Sequence, residues 1–427
     1  MKDLNSSQKI ILNIISFFLI FLFIYGFLIE ENSAGAGGYN GDLLATFSNL
    51  QLFINNNFYQ AIKLTANSEV YYSNRPPLFY ILHSIFNPVA GDLKKYIYSV
   101  FFISSLVPIF FYLSLKINYK KISGYYLFFL SCLILLSPYF RTSSYWGLEE
   151  NYAFISLLLS FIFIKKFLFK KKFLDLFLTI FFSSTCVYFD QKFIIIPLIC
   201  FLQLTFSELP IKFKLYTIFL YSIFSLPFIY LIYLWGNIIP VGNMNIYSVG
   251  KRIYLQHICY MTNILGLYFF PFLILIRKKD IKKILTSFFK NKINKFFLLI
   301  GILYIGYFIF FADLTSTFNF GGGYSLKVTR FLFNIELYQK IFLSIIFFFC
   351  IIILLIFINI NYWISVFIIY FLISSLLINP VMHEYLDPLV LVFLLTFAKN
   401  IISIDQKKVF FLLFYFLIIF TVARIYY

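Results

Sequence analysis

Four clusters in this chain carry side chains able to do chemistry. The first is Gly37-Gly38-Tyr39-Asn40-Gly41-Asp42, ahead of a helical pattern through Phe47, Leu50, Phe53 and Ile54. Asp42 stands where that helix begins, so its carboxylate could cap the helix or act as a general base. The second is Tyr71-Tyr72-Ser73-Asn74-Arg75-Pro76-Pro77-Leu78-Phe79-Tyr80. Its two prolines fix a rigid entry to an aromatic, amphipathic stretch, and Arg75 could meet a phosphate or anchor the segment at an interface. The third is Tyr145-Trp146-Gly147-Leu148-Glu149-Glu150-Asn151. Its adjacent carboxylates repel each other and lose hydration if buried, so they call for a cation, a metal or a hydroxyl substrate. The fourth is His383-Glu384-Tyr385-Leu386-Asp387-Pro388. Beside it stands a smaller patch, Asp190-Gln191-Lys192, in which Lys192 is costly within an apolar hairpin unless Asp190 pairs with it.

The elements that position these clusters are membrane spans. Hydrophobic residues make up 62% of the 427 positions and charged residues 12%, more apolar side chain than a soluble domain can hide. Apolar runs recur with no alternation of the kind a β-barrel needs, so the expected fold is an all-α polytopic membrane protein. About thirteen spans are expected, near 10–29, 96–115, 122–140, 152–164, 173–189, 193–207, 214–235, 258–276, 296–312, 340–358, 362–379, 386–398 and 409–426. Residues 30–95 form a long first loop, within which 76–88 is too short to cross and is expected as a juxtamembrane helix lying along the interface. The whole of 1–427 reads as a single transmembrane domain, with no separate soluble domain and no internal repeat. The first run is too long for a signal peptide core and is expected to be retained.

Charge orients the spans. With the N-terminus in the cytoplasm, most of the 35 basic residues fall inside, above all Lys165 to Lys172 and the run from Arg277 to Lys295, as the positive-inside rule requires. Only Asp3, Asp175, Glu208, Asp280 and Asp405 of the 17 acidic residues fall inside. The four clusters then share the outer face of a plasma (inner) membrane. The net charge of +18 thus reflects topology, and no nucleic acid partner is expected. The cysteines Cys132, Cys186, Cys200, Cys259 and Cys350 lie in or beside apolar runs without metal-site spacing and read as core hydrophobes. The 62 phenylalanines and 34 tyrosines fit the codon usage of an AT-rich genome. Gly321-Gly322-Gly323 lacks the setting of a phosphate-binding loop and reads as a turn.

These clusters, in this order, resemble the glycosyltransferase C superfamily, in particular bacterial relatives of protein O-mannosyltransferases and aminoarabinose transferases. The match rests on Asp42 in the first outer loop and on Pro76-Pro77-Leu78-Phe79-Tyr80. It continues with Glu149 or Glu150 before the fourth span, Lys192 between the fifth and sixth, and the Tyr385…Pro388 spacing. Leu43 follows Asp42 where relatives often have Asp-Glu, and Glu384 stands where the family pattern has arginine.

The resemblance implies an inverting transfer of a sugar from a polyprenyl-phosphate donor to a hydroxyl of a glycan, lipid or protein acceptor. In that scheme Asp42 is the base, and Glu149 and Glu150 orient the acceptor. With no arginine at Glu384, Arg75, Lys192 or His383 would hold the donor phosphate. Tyr80 and Tyr385 would contact substrate. Some relatives bind a metal and others do not, and the sequence does not decide between them; a divalent metal ion, if present, would fall to Asp42, Glu149 and Glu150. The competing classes are a flippase or transporter for lipid-linked glycans, which would carry its ionisable residues in mid-membrane, and a polymerase or ligase, which would lean on outer-loop arginines.

Overall fold

The computed structural model describes residues 5–32, 38–240, 253–314, 321–378, 380–397 and 403–426. Lys2, Asp3, Gly37 and Lys399 lie outside the described residues. The chain is 79% helix, without strands among the described residues. It divides into two compact units, unit 1 (Met1–Ile246 with Phe416–Tyr427) and unit 2 (Tyr247–Tyr415).

Unit 1 opens with α1 (Ser6–Leu28), started by a reciprocal capping box between Asn5 and Gln8. One stripe of α1 is buried, through Leu12, Ser16, Leu19, Phe23 and Gly26. The opposite face exposes Ile14, Phe17, Phe18 and Phe21, as a helix facing hydrocarbon does. The first loop folds into α2 (Leu44–Asn55), α3 (Phe58–Leu64) and α4 (Leu78–Phe86). Then come α5 (Leu93–Ser104) and α6 (Val107–Asn118), followed by α7 (Gly124–Cys132) and α8 (Pro138–Tyr145). The unit continues with α9 (Glu150–Lys170), α10 (Phe173–Phe189), α11 (Ile195–Phe206) and α12 (Ile211–Trp235).

Unit 2 holds α13 (His257–Phe269), α14 (Lys278–Lys290), α15 (Lys292–Phe311), α16 (Gly323–Leu332), α17 (Glu336–Ile358), α18 (Tyr362–Ser375) and α19 (Leu389–Phe397). A last helix, α20 (Gln406–Tyr426), ends the chain. Within unit 2, α13 is central and packs on α16, α17, α18 and α19. Gly266 permits the close approach to α17, since a Cβ there would stand 2.3 Å from Cys350 Sγ.

Each of the thirteen expected apolar runs is helical, but they are unequal. Among the described residues seven helices are long and apolar enough to cross a bilayer, or eight if the pair α7–α8, bent by 71°, is one span. Four more apolar helices have only 10–17 residues, at most about 26 Å of rise against a core of about 30 Å. The chain is thus a membrane-embedded helical protein with at least seven such helices. The basic segment expected as an inside loop is largely helix α14. Ile281, Ile284 and Phe288 share one helical face there, and Phe288 is buried. All five cysteines are free and buried, as expected.

The break between α7 and α8 contains a group the sequence reading did not single out. Pro138 ends the continuous helix, and Ser137 caps α8 by accepting the Phe140 N–H at 3.0 Å. Arg141 in α8 is fully buried. Its Nε and Nη2 donate to the two carboxylate oxygens of Glu31, each at 2.8 Å. Its Nη1 reaches Leu135 O, freed at the break, and its Nη2 also reaches Leu22 O, both at 3.1 Å. The Tyr145 hydroxyl donates to Phe23 O at 2.7 Å. Gly26 makes this approach possible: a Cβ would stand 2.2 Å from Arg141 Nη2 and 2.9 Å from Glu31 Oε2.

Removing one partner of a buried pair leaves an uncompensated charge, at a cost of about 3–5 kcal/mol. Arg141→Met should therefore lower the unfolding temperature of the purified protein strongly, and Gly26→Ala should do so through the clash. The double variant Arg141→Met/Glu31→Met should be less damaged than Arg141→Met alone; equal or greater damage would mean the pair is not coupled.

Candidate functional site

Arg75 is placed by its own loop. The Tyr71 hydroxyl donates to Arg75 O, and the Arg75 N–H donates to Ser73 Oγ at 3.1 Å. Pro76 and Pro77 then lead directly into α4, which begins at Leu78. Asn49 on α2 ties the loop down, accepting the Tyr72 N–H at 2.8 Å and donating to the Tyr80 hydroxyl at 3.3 Å. Tyr71, Phe79 and Tyr80 are buried, with Phe79 edge-on to Tyr152 of α9 at 4.9 Å. His83 Nε2 and the Tyr152 hydroxyl meet at 2.8 Å, which fastens α4 to α9.

The carboxylates come from two helix ends. Gly147 turns the chain after α8 with φ of 68°, and its carbonyl accepts from the Tyr96 hydroxyl. A Cβ at this position would meet the Tyr96 ring at 2.8 Å, so glycine is required on both counts. That turn sets Glu149 and Glu150 at the start of α9, where the helix dipole favours negative charge. Ser143 Oγ on α8 donates to Glu150 Oε2 at 2.8 Å. Asp190 follows α10 and caps a short 3-10 turn, its Oδ1 accepting the Lys192 N–H at 2.9 Å.

Arg75 faces a carboxylate with each of its three guanidinium nitrogens. Nη1 lies 2.8 Å from Glu149 Oε1, Nη2 lies 2.6 Å from Glu150 Oε1, and Nε lies 3.4 Å from Asp190 Oδ2. Lys192 Nζ approaches the same Asp190 oxygen at 3.2 Å, the pairing the sequence suggested. Arg75 is 25% exposed and Glu149 only 2%, so the cluster is largely out of water. Burial alone would lower the Arg75 pKa, but Glu149, Glu150 and Asp190 outweigh it and hold the guanidinium firmly charged. At Glu149 burial prevails over Arg75 and holds the carboxyl above the ordinary carboxylate range. Its Oε2 is buried without a hydrogen-bond partner.

Asp42 lies in a π-helical turn (Gly38–Leu43) ahead of α2 and caps nothing: the residue at the cap position is Leu43, with no side-chain bond to the helix. The capping role weighed for Asp42 is therefore set aside, because the π turn carries the chain past that position. Asp42 as a residue is exposed, but partial desolvation of its carboxyl by the protein around it raises the pKa, with Arg75 opposing and Glu150 adding to the rise. Arg75, Glu149, Glu150, Asp190 and Lys192 thus form one ion cluster in unit 1, and Asp42 feels the charges of Arg75 and Glu150 without bonding to either.

The remaining expected site residues have other surroundings. Tyr80 is 1% exposed, so its ring is part of the loop's core. Tyr385 belongs to unit 2 and donates its hydroxyl to Pro380 O at 3.2 Å. His383, also in unit 2, is buried against Tyr324 and Tyr268. Among the described residues no three of His, Cys, Asp and Glu are grouped to hold a metal ion. The Arg75 guanidinium lies against both Glu149 and Glu150, so the metal site envisaged on Asp42, Glu149 and Glu150 does not fit this arrangement. Sequence reasoning overlooked Arg141 and Glu31; a charged residue three positions past a proline in an apolar run was the signal available.

Arg75→Gln removes the positive charge that opposes burial at Glu149, whose carboxyl then moves further above its unfolded value. A group with a raised folded pKa adds stability at low pH that is lost as pH rises through that pKa. The variant should thus lose about 3 kcal/mol at pH 8 and distinctly less at pH 5, measured as unfolding temperature at both values. Equal losses at the two pH values would assign Arg75 a packing role only.

Compared with known proteins, the chain matches no family model, no curated protein and no solved structure.

Proposed function

We propose that this chain is a membrane glycosyltransferase that moves a sugar from a polyprenyl-phosphate donor to an acceptor hydroxyl on the outer face. The observation that carries this reading is Asp42: a carboxylate at the surface that caps no helix, within electrostatic reach of Arg75 and Glu150, and with a raised pKa. A raised pKa suits a general base, because it increases proton affinity at working pH. Asp42 takes the proton of the acceptor hydroxyl. The acceptor oxygen attacks the anomeric carbon, and the bond from that carbon to the phosphate oxygen breaks with inversion, releasing polyprenyl phosphate. The leaving phosphate gains charge, and Lys192 is the cation assigned to it. Arg75 serves as the scaffold that keeps Glu149, Glu150 and Asp190 in place, with the two glutamates orienting the acceptor.

In the full scheme the chain crosses the plasma membrane thirteen times with a cytoplasmic N-terminus, and residues 30–95 face outward. The cluster's groups sit in a loop, at the start of α9 and just past the end of α10, and such placement favours an interfacial enzyme over a flippase with charges in mid-membrane.

Asp42→Asn keeps the side chain's size but cannot take the proton. Expression and unfolding temperature should stay unchanged, as for other exposed surface positions. Transfer should fall about 10²–10⁴-fold. Mass spectrometry of envelope glycans and glycolipids should show the same missing species with Asp42→Asn as with the gene removed. A normal glycan profile from Asp42→Asn would rule Asp42 out as the base. In the wild type the acid limb of activity should lie above the ordinary aspartate range, in the direction of the Asp42 shift.

The orientation has its own check. All five native cysteines are buried, so single cysteines introduced at exposed Asn55 and Lys290 can be read with little background. An impermeant thiol reagent should label Asn55→Cys and spare Lys290→Cys in intact cells; the reverse would invert the topology.

A further inference from the structure

Between Arg277 and Lys295 the chain carries eight basic residues and a single acidic one, Asp280. Most of this run is α14, thirteen residues long and so about 20 Å from end to end. It is too short and too charged to cross a bilayer. Only Asn291 separates it from α15, one of the helices long and apolar enough to cross. The end of α14 therefore stands where a crossing helix meets the membrane surface.

Three asparagines hold it there. Asn291 caps α15, its Oδ1 accepting the Ile293 N–H at 2.9 Å, and its Nδ2 donates to Asn359 Oδ1 at 3.3 Å. Asn359, just past the end of α17, donates to Asn294 Oδ1 at 3.0 Å. Asn294 is buried and donates in turn to Phe288 O at 3.1 Å, in the last turn of α14. Like α15, α17 is long and apolar enough to cross. The last turn of α14 is thus tied to the ends of two such helices on one side of the membrane.

The helix has two unlike faces. Ile281, Ile284 and Phe288 form an apolar stripe, and Phe288 is covered by protein. Ile281, further along the stripe, is exposed, and Phe289 at its edge is 65% exposed. Ile293 and Phe296, at the start of α15, are exposed as well. Lys282, Lys290, Lys292 and Lys295 are exposed among them. Apolar side chains bordered by ammonium groups, at the level where crossing helices end, are complementary to an anionic lipid surface: acyl chains receive the rings and headgroup phosphates receive the lysines.

We propose that α14 and the first turn of α15 bind anionic phospholipid, with Phe289 among the acyl chains and Lys282, Lys290, Lys292 and Lys295 on the headgroup phosphates. Zwitterionic lipid offers the same apolar contact but no net charge for the lysines. Selectivity for anionic lipid follows, about fivefold per basic residue at the surface, and it weakens with salt. With a cytoplasmic N-terminus the leaflet concerned is the inner one. The inference needs only a membrane-embedded chain and stands apart from sugar transfer.

The test uses the purified full-length protein in phosphatidylcholine nanodiscs. The five native cysteines are buried, so Phe289→Cys can carry a bimane label alone. The nanodiscs contain brominated phosphatidylglycerol or brominated phosphatidylcholine at the same mole fraction. The label should emit as in apolar surroundings and be quenched at least about twofold more by the brominated phosphatidylglycerol, with the excess shrinking at high salt. Adding Lys282→Gln, Lys290→Gln, Lys292→Gln and Lys295→Gln together should make the two lipids quench equally. Ile293→Cys, also exposed, serves as the reporter if Phe289→Cys fails to fold. Water-exposed emission that neither lipid quenches would leave this face to another partner, such as an acidic protein, and would overturn the proposal. Equal quenching by the two lipids in the labelled protein with its lysines intact, or an excess that survives their replacement, would overturn it too.

Discussion

A single guanidinium organises unit 1. Arg75 arrives on a loop more than seventy residues before Glu149 and Glu150, and together with Lys192 it allows three carboxylates to sit close to one another, largely away from water. Two adjacent glutamates at the start of an apolar helix would be unstable on their own, through mutual repulsion and lost hydration. With Arg75 between them they become a clamp. The clamp fixes the loop that carries Arg75 against the start of α9 and the end of α10. Geometry of this kind is demanding: each guanidinium nitrogen has its own acceptor, and a lysine, with a single point charge, could not replace it.

A second buried pair, Arg141 with Glu31, lies in the same unit. It satisfies a backbone carbonyl left open where α7 breaks, joins α8 to the end of α1, and is shielded by the Tyr145 and Phe420 rings at 5.3 and 4.7 Å. Glu31 immediately precedes the loop that contains Asp42, and α8 carries the Ser143 hydroxyl that orients Glu150. A broken helix, normally a weakness in a membrane, is thereby turned into a support for the ion cluster. Backbone left unbonded in apolar surroundings is tolerated only where protein groups restore the hydrogen bonds, which Arg141 does for Leu135 O.

Much of the fold was legible because bilayers impose length and apolarity. All thirteen apolar runs are helices, and the Pro76-Pro77 element does open one at Leu78. Span length was less legible: α10, α11, α13 and α18 are short, and the break at Pro138 is visible as a proline but not as a 71° bend. Of the candidate site, Glu149, Glu150 and Lys192 were readable as ionisable residues at the ends of apolar runs, where charge is expensive, and Asp42 and Arg75 as charges in the long first loop. Their mutual pairing was readable only for Asp190 and Lys192, which are neighbours in sequence. The contact of Arg75 with Glu149 spans two long segments, and nothing local in either one encodes it. Arg75 thus looked like a ligand for phosphate, whereas its nitrogens are directed at carboxylates. The Gly321-Gly322-Gly323 stretch, expected as a turn, instead leads into α16 with Gly322 at its cap position, and the histidine that docks on it comes from a distant stretch.

The clamp between Arg75 and Glu149 is best tested by a double-mutant cycle on unfolding free energy, with Arg75→Gln, Glu149→Gln and the double variant in the purified full-length protein. A buried, directly bonded charge pair should give a coupling of at least about 1.5 kcal/mol, with the double variant more stable than Arg75→Gln alone. Additive losses, within about 0.5 kcal/mol, would show that Arg75 does not hold Glu149 and would contradict the clamp on which this account of unit 1 is built.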